Sequence, residues 1–131
     1  MNRVDVKPIS INTAYRGGRR FKTKKYIDFE AHSMAIIKKE KLPEGPIGLR
    51  LEYGFSNRAQ DVDSCIKMSI DVLQKRLGFN DKIIMELYVK KILVPKGEEF
   101  WSFEFYTIQY EQQDTASSNR RPRKPRGKRK S

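Results

Sequence analysis

The chain has 131 residues, which is enough for one domain but too few for two separate hydrophobic cores. Its formal net charge is +12, and eight of the 28 basic residues lie in the last thirteen positions, where there is no acid. The rest of the chain holds 20 basic and 16 acidic side chains, so most of the excess charge is in a tail. A polyanionic partner is therefore favoured, and we expect nucleic acid rather than a membrane because no amphipathic helix or lipidation motif accompanies the charge.

Cys65 is the only cysteine, which excludes an intrachain disulfide. The N-terminus lacks the apolar stretch of a signal peptide, and no run approaches the roughly 20 apolar residues of a membrane span. We therefore expect a protein of the reducing cytoplasm, without a membrane partner.

The elements are predicted in chain order from residue periodicity and turn signals. They are an edge strand or extended arm over residues 1–15, a basic loop after Gly17 and Gly18, a helix over 26–41, a strand over 47–55, a helix over 64–77 with Asp63 as N-cap and Gly78 as C-cap, and strands over 83–94 and 100–110. Pro95-Lys96-Gly97 predicts a hairpin between the last two strands. This order predicts an α+β domain over residues 1–111, with a mixed sheet and about two helices on one face. Residues 112–131 are predicted to be a disordered basic tail.

The segment from Asp61 to Lys67 is the most informative part of the chain. An extended Asp61–Asp63 would point both carboxylates to one side, with Lys67 one turn inside the following helix. Two neighbouring carboxylates oppose each other's ionisation, and a hard cation such as Mg²⁺ relieves that cost while it accepts phosphate oxygens. Taken alone, however, two acids before a helix are more often a cap and a solvated side chain.

Other chemistries find little support in the sequence. His32 has no evident catalytic partner, a zinc site lacks ligands, and there is no glycine-rich phosphate loop, so we expect no nucleotide cofactor. Tyr15 and Phe21 could stack on exposed bases, although such residues are more often core or interface.

Several motifs occur together in the order seen in one known family. Pro8-Ile9-Ser10-Ile11-Asn12 with Tyr15-Arg16, Asp61-x-Asp63-x-x-x-Lys67, and Gly78-Phe79-Asn80-Asp81 resemble the motifs of the RusA family of Holliday-junction resolvases, over about residues 8–105. The chain departs from the family pattern at Ser64, where Asn is usual, and at Asn80, where the turn usually has paired acids.

The resemblance implies a homodimeric, RusA-like crossover junction endodeoxyribonuclease that resolves four-way DNA junctions by paired symmetric nicks. It implies Asp61, Asp63 and Asp81 as ligands of Mg²⁺, with Mn²⁺ as a substitute, and Lys67 as a catalytic helper. It also implies a role in DNA recombination or repair and a phage, a prophage or a bacterial host.

Asp81 raises a question of distance. A helix over residues 64–77 is about 21 Å long, and four residues return at most about 14 Å. Either the helix is shorter than predicted, or Asp81 acts across the dimer.

The basic segment near the N-terminus is the predicted DNA-binding site. Six cations without an acid repel one another unless an anion is present, which favours phosphate contacts over a solvated loop. The predicted DNA-binding residues are Asn12, Tyr15, Arg16, Arg19, Arg20, Lys22, Lys24 and Lys25. The alternatives are a non-catalytic basic DNA-binding protein, and a Mg²⁺ nuclease acting on other branched DNA such as flaps or forks.

Overall fold

The computed structural model of the chain describes residues 1–18 and 21–109. They form one α+β domain with six strands, three α-helices and a short 3₁₀ helix. In chain order the elements are β1 (Asn2–Val4), α1 (Ile11–Ala14), β2 (Tyr15–Arg16), β3 (Phe21–Lys22), α2 (Lys24–Ile36), β4 (Ile47–Phe55), α3 (Ile66–Leu77), the 3₁₀ helix (Asp81–Ile83), β5 (Ile84–Leu93) and β6 (Phe100–Thr107). The predicted α+β class is confirmed, and the predicted tail over residues 112–131 lies outside the described residues.

The main sheet is mixed, as the sequence predicts, with the strand order β1-β6-β4-β5. The central strand β4 runs parallel to β5 and antiparallel to β6, and β1 pairs with the outer edge of β6. The alternating side chains of β4 are buried on the face that the helices cover, as the period-two pattern requires.

The predicted hairpin after Pro95 is wrong. β5 and β6 do not pair with each other, because both pair with β4, which lies between them. The connection crosses the end of β4, where the Val94 amide donates a hydrogen bond to the Phe55 carbonyl at 2.8 Å. The turn residues therefore reverse the chain without making its two strands neighbours.

Helices α2 and α3 cover one face of the sheet. The Phe29 ring of α2 lies 6.0 Å from the Trp101 ring of β6. The buried Ser69 hydroxyl of α3 accepts a hydrogen bond from the Tyr53 hydroxyl at 2.9 Å and donates one to the Cys65 carbonyl. The opposite face of the sheet carries polar and aromatic side chains such as Arg50, whose guanidinium lies over the Tyr106 ring.

The helix boundaries differ from the prediction. The helix α2 begins at Lys24, where the Thr23 side chain accepts a hydrogen bond from the Tyr26 amide, and it ends at Ile36 rather than at residue 41. The helix α3 begins at Ile66 instead of Ser64, its N-cap is Cys65, and Asp63 therefore does not cap it. Gly78 ends α3 in the left-handed conformation, as predicted.

Within the described residues, no helix combines the length and apolarity needed to cross a membrane.

Candidate functional site

The two neighbouring acids lie in an exposed turn between β4 and α3. The segment is not extended as predicted, because residues 62–65 form a turn that leads into the helix at Ile66. Asp61 and Asp63 are both exposed, and in the described parts of the chain neither carboxylate takes part in an ion pair. Both are therefore open to an external cation. We call residues 61–65 the acid turn.

Backbone and side-chain hydrogen bonds give the acid turn its shape. The Ser64 amide and hydroxyl both donate to the Asp61 carbonyl, at 3.1 and 2.8 Å. The Ser64 hydroxyl accepts from the Gln60 side chain at 2.6 Å, and the Ser64 carbonyl accepts from the Ile11 amide of α1 at 2.8 Å. Ser64 thus ties the acid turn both to the loop before it and to α1, beside Asn12.

A lysine on β5 anchors the loop that leads into the acid turn. The Lys91 ammonium donates to the Arg58 carbonyl at 3.1 Å and to the Gln60 carbonyl at 2.7 Å. Because Gln60 immediately precedes Asp61, the end of β5 determines where the first acid of the turn begins. Sequence reasoning missed this residue, because nothing in a strand pattern indicates which loop a lysine will reach.

Lys67 lies close to the acid turn, but its charge is paired inside α3. Its ammonium donates to the Asp71 carboxylate at 3.0 Å, one helical turn away, and this hydrogen bond raises the pKa of Lys67. Asp71 also accepts from the Tyr26 hydroxyl at 3.2 Å, and burial, a hydrogen bond with Tyr15 and the charge of Asp71 raise the pKa of Tyr26. The i,i+4 spacing from Lys67 to Asp71 was the sequence signal for this pair.

The described part of the basic segment is two short paired strands followed by a helix start, and not a loop. Tyr15 pairs with Lys22 and Arg16 with Phe21, while Arg19 and Arg20, both predicted to bind DNA, lie outside the described residues. Phe21 is 60% exposed, so it does not belong to the core, and an interface or base stacking remains as its predicted role.

Two of the predicted DNA-binding lysines have acidic partners from α2. The Lys22 ammonium donates to Glu30 at 2.9 Å, and the Lys24 ammonium donates to Asp28 at 2.8 Å. The expectation that these lysines lack an anion within the chain is therefore wrong for both, because α2 supplies a carboxylate to each of them. Arg16, Lys25 and Asn12 are exposed and remain available to a ligand.

Asp81 lies at the other end of the sheet from the acid turn. It begins the 3₁₀ helix before β5, where the Asn80 side chain accepts from the Lys82 amide at 2.9 Å. The acid turn lies near Lys91 at the far end of β5, and the seven steps along the strand from Ile84 to Lys91 span about 23 Å. Accordingly, the described residues of one chain contain no group of three acidic, histidine or cysteine side chains that could hold a metal ion.

A scan against models of protein families finds no match, and no curated protein is similar to the chain. The resemblance to RusA-type resolvases thus depends on the ordered motifs alone.

Proposed function

We propose that this protein is a Mg²⁺-dependent endonuclease that acts on four-way DNA junctions, as the RusA-like motifs imply. One observation carries the proposal. Asp61 and Asp63 are exposed, have no ion-pair partner among the described residues, and precede α3, whose Lys67 ammonium lies 6.0 Å from the Tyr15 ring of β2 in the basic segment. An acidic centre next to cationic segments suits a nuclease, since phosphates are attracted overall and a metal ion bridges the last contact.

The donor set fits the metal. Mg²⁺ commonly binds one or two carboxylates, keeps several waters and takes further oxygens from phosphate, so Asp61 and Asp63 would be its ligands from one protomer. Bound there, the ion would polarise the phosphodiester and lower the pKa of a water molecule.

Lys67 would supply positive charge to the phosphate. Its ammonium is protonated at neutral pH, as an ordinary lysine is, and the hydrogen bond to Asp71 raises its pKa further. The pair is half-exposed, so the ammonium can leave Asp71 for a phosphate at little cost. The charge that develops on the phosphate oxygens would then be stabilised from outside the metal site.

The third acid of the resemblance, Asp81, would come from a second protomer. Within one chain, Asp81 lies at the opposite end of β5 from the acid turn, and the 12 residues of α3 separate the two segments. Mixing Asp61→Asn protein with Asp81→Asn protein tests this. Statistical exchange should restore about a quarter of the wild-type sites, all in heterodimers with one intact site, and these should give single nicks instead of paired cuts. Inactivity of the mixture after subunit exchange would exclude sharing.

The function itself is tested by incubating the protein with a synthetic four-way junction and with a linear duplex, each with Mg²⁺ or EDTA. We expect paired nicks in the junction with Mg²⁺ only. The Asp61→Asn variant should lose cleavage but keep or improve junction binding, because a negative charge near the DNA is removed. The matched control, Glu44→Gln, removes an exposed acid at the other end of β4 and should cleave normally.

Other outcomes would assign other functions. Binding without cleavage by the wild-type protein would support a non-catalytic DNA-binding protein. Preferential cutting of flaps or forks would retain the nuclease and change its substrate.

A further inference from the structure

A groove runs between residues 5–10, which follow β1, and one side of α2. Its volume is about 870 Å³, and sites that bind small molecules usually measure about 300–1,000 Å³. The α2 residues that line the groove recur every three or four positions, so they form one stripe along the helix. They are Lys25, Asp28, Phe29, His32, Ala35 and Ile36. We call this feature the arm groove.

The arm groove has an apolar floor and an aromatic ring at its opening. Pro8, Ile9 and Phe29 line it and are buried, whereas His32 lines it and is exposed. Proteins that bind unpaired bases hold them against apolar and aromatic side chains, and histidine is one of the rings used for stacking. The lining of the groove therefore suits a nucleobase.

The charge at the rim of the groove favours an anion. Lys7 and Lys25 line the groove, are exposed and take part in no ion pair within the described part of the chain. The two acids at the rim are each paired with a neighbouring cation, so they do not cancel these lysines. The pairs are Asp5 with Arg3, at 2.6 Å, and Asp28 with Lys24, at 2.8 Å. A phosphate is therefore attracted to the rim, and a basic peptide is repelled.

The arm groove adjoins the acid turn. Gln60 lines the groove and immediately precedes Asp61, and its side-chain amide donates to the Ser64 hydroxyl at 2.6 Å. Ser10 also lines the groove, and the amide of the next residue, Ile11, donates to the Ser64 carbonyl at 2.8 Å. Because Ser64 is tied to both walls, a DNA strand with a phosphate at the acid turn passes the opening of the groove.

We propose that the arm groove takes one unpaired nucleotide of the DNA strand that is cut at the acid turn. The base lies on the apolar floor beside His32, and Lys7 and Lys25 hold its phosphate. The inference rests on the proposed function for its substrate. Extrusion of a base costs least where the base is already unpaired, so the groove favours the crossover of a junction over a linear duplex.

His32 gives a readout of the groove that needs neither DNA nor metal. It is the only histidine, so its ring protons give one set of NMR signals. Deoxyadenosine monophosphate should shift these signals with a Kd of about 1 mM, which is weak because a single nucleotide makes few contacts. Deoxyribose 5-phosphate, which lacks the base, and inorganic phosphate should shift them at least about tenfold less readily.

Two alanines of α2 give a matched pair of variants. Both are exposed, but Ala35 lines the groove and Ala31 does not. Leu is a good helix former and adds bulk without a ring that could itself stack on the base. Ala35→Leu should therefore weaken the response to the nucleotide about fivefold or more, while Ala31→Leu should leave it unchanged.

A fluorescent base tests whether the nucleotide comes from DNA. 2-Aminopurine, an adenine analogue, is quenched in the stack and fluoresces when it leaves it. Four-way junctions that carry it at one position at a time around the crossover are mixed with the protein in EDTA, so that no strand is cut. Fluorescence should rise at one position with the wild type and with Ala31→Leu, and should rise much less with Ala35→Leu.

The outcomes separate the groove from the nuclease. No fluorescence rise at any position, or a rise that Ala35→Leu leaves unchanged, would overturn the proposal. Failure of the nucleotide to shift the His32 signals would overturn it as well. A shift without any fluorescence rise would indicate a free nucleotide as the ligand and reject the DNA strand. Both responses in a protein that cleaves no branched DNA would retain the groove and reject the proposed function.

Discussion

Replacing Lys91 by Met should loosen the acid turn while it preserves the strand. Met keeps most of the apolar stem but loses the two hydrogen bonds from the ammonium to the Arg58 and Gln60 carbonyls, at 3.1 and 2.7 Å. Hydrogen bonds from a charged group contribute about 1.5–3 kcal/mol each, and partial exposure of Lys91 reduces this, so we expect a total loss of about 2 kcal/mol. For a domain of this size that corresponds to a fall in Tm of about 5–10 °C.

The functional effect should be larger than the loss of stability. The loop immediately before Asp61 would no longer be held to β5, so the two acids would meet a cation in many geometries. Measured well below the Tm, Mg²⁺-dependent junction cleavage by Lys91→Met should fall at least about tenfold, since displacements of about 1 Å at a reacting centre have large effects on rate. Junction binding measured in EDTA should change little.

Lys96→Met is the control, because Lys96 is an exposed lysine in the turn after β5. Its stability should stay within about 0.5 kcal/mol of the wild type, as is usual at exposed positions. A Lys91→Met protein with unchanged Tm and unchanged cleavage would show that the anchor neither stabilises the loop nor positions the acids.

Three further outcomes are expected. Burial would raise the pKa of Glu30, but hydrogen bonds from Lys75 and Lys22 outweigh it and hold that pKa below the ordinary value of 4.5. The ionised carboxylate therefore stabilises the fold above pH 4.5, and this stabilisation is lost as the pH falls through the lowered pKa. Glu30→Gln should accordingly flatten the acid decline in stability measured by urea unfolding. Burial raises the pKa of Cys65 to about 11, so iodoacetamide at pH 8 should label the thiol only in denatured protein, as mass spectrometry would show. Gly54→Ala should cost about 1–3 kcal/mol in thermal unfolding, because its methyl group would overlap the Phe100 ring.

Elements with a strong local pattern could be predicted from the sequence. The strand over residues 47–55 has the predicted bounds, because nine alternating residues specify both the period and the buried face. The end of α3 also agrees, since Gly78 adopts the left-handed conformation that other residues avoid. The predicted start of α3 is two residues too early, because acids that suit a cap also suit the turn found there.

The strand order could not be predicted from the same patterns. Pro95-Lys96-Gly97 specifies a reversal of the chain, but not which strand the returning segment joins. In the sheet, rings from β6 fill the space above the two glycines of β4: Tyr106 covers Gly48 and Phe100 covers Gly54. This complementarity between distant segments favours β6 beside β4, and it is visible only when both strands are compared across the sheet.

Topology, more than the length of α3, separates Asp81 from the acid turn. β4 and β5 are parallel neighbours joined through α3, so the chain leaves β4 at one end of the sheet and enters β5 at the other. Residues that follow β4 and residues that precede β5 must then lie at opposite ends of one protomer, whatever the exact helix bounds. A site that needs both segments therefore requires a second chain, and its activity should vary with protein concentration in the range where the dimer dissociates.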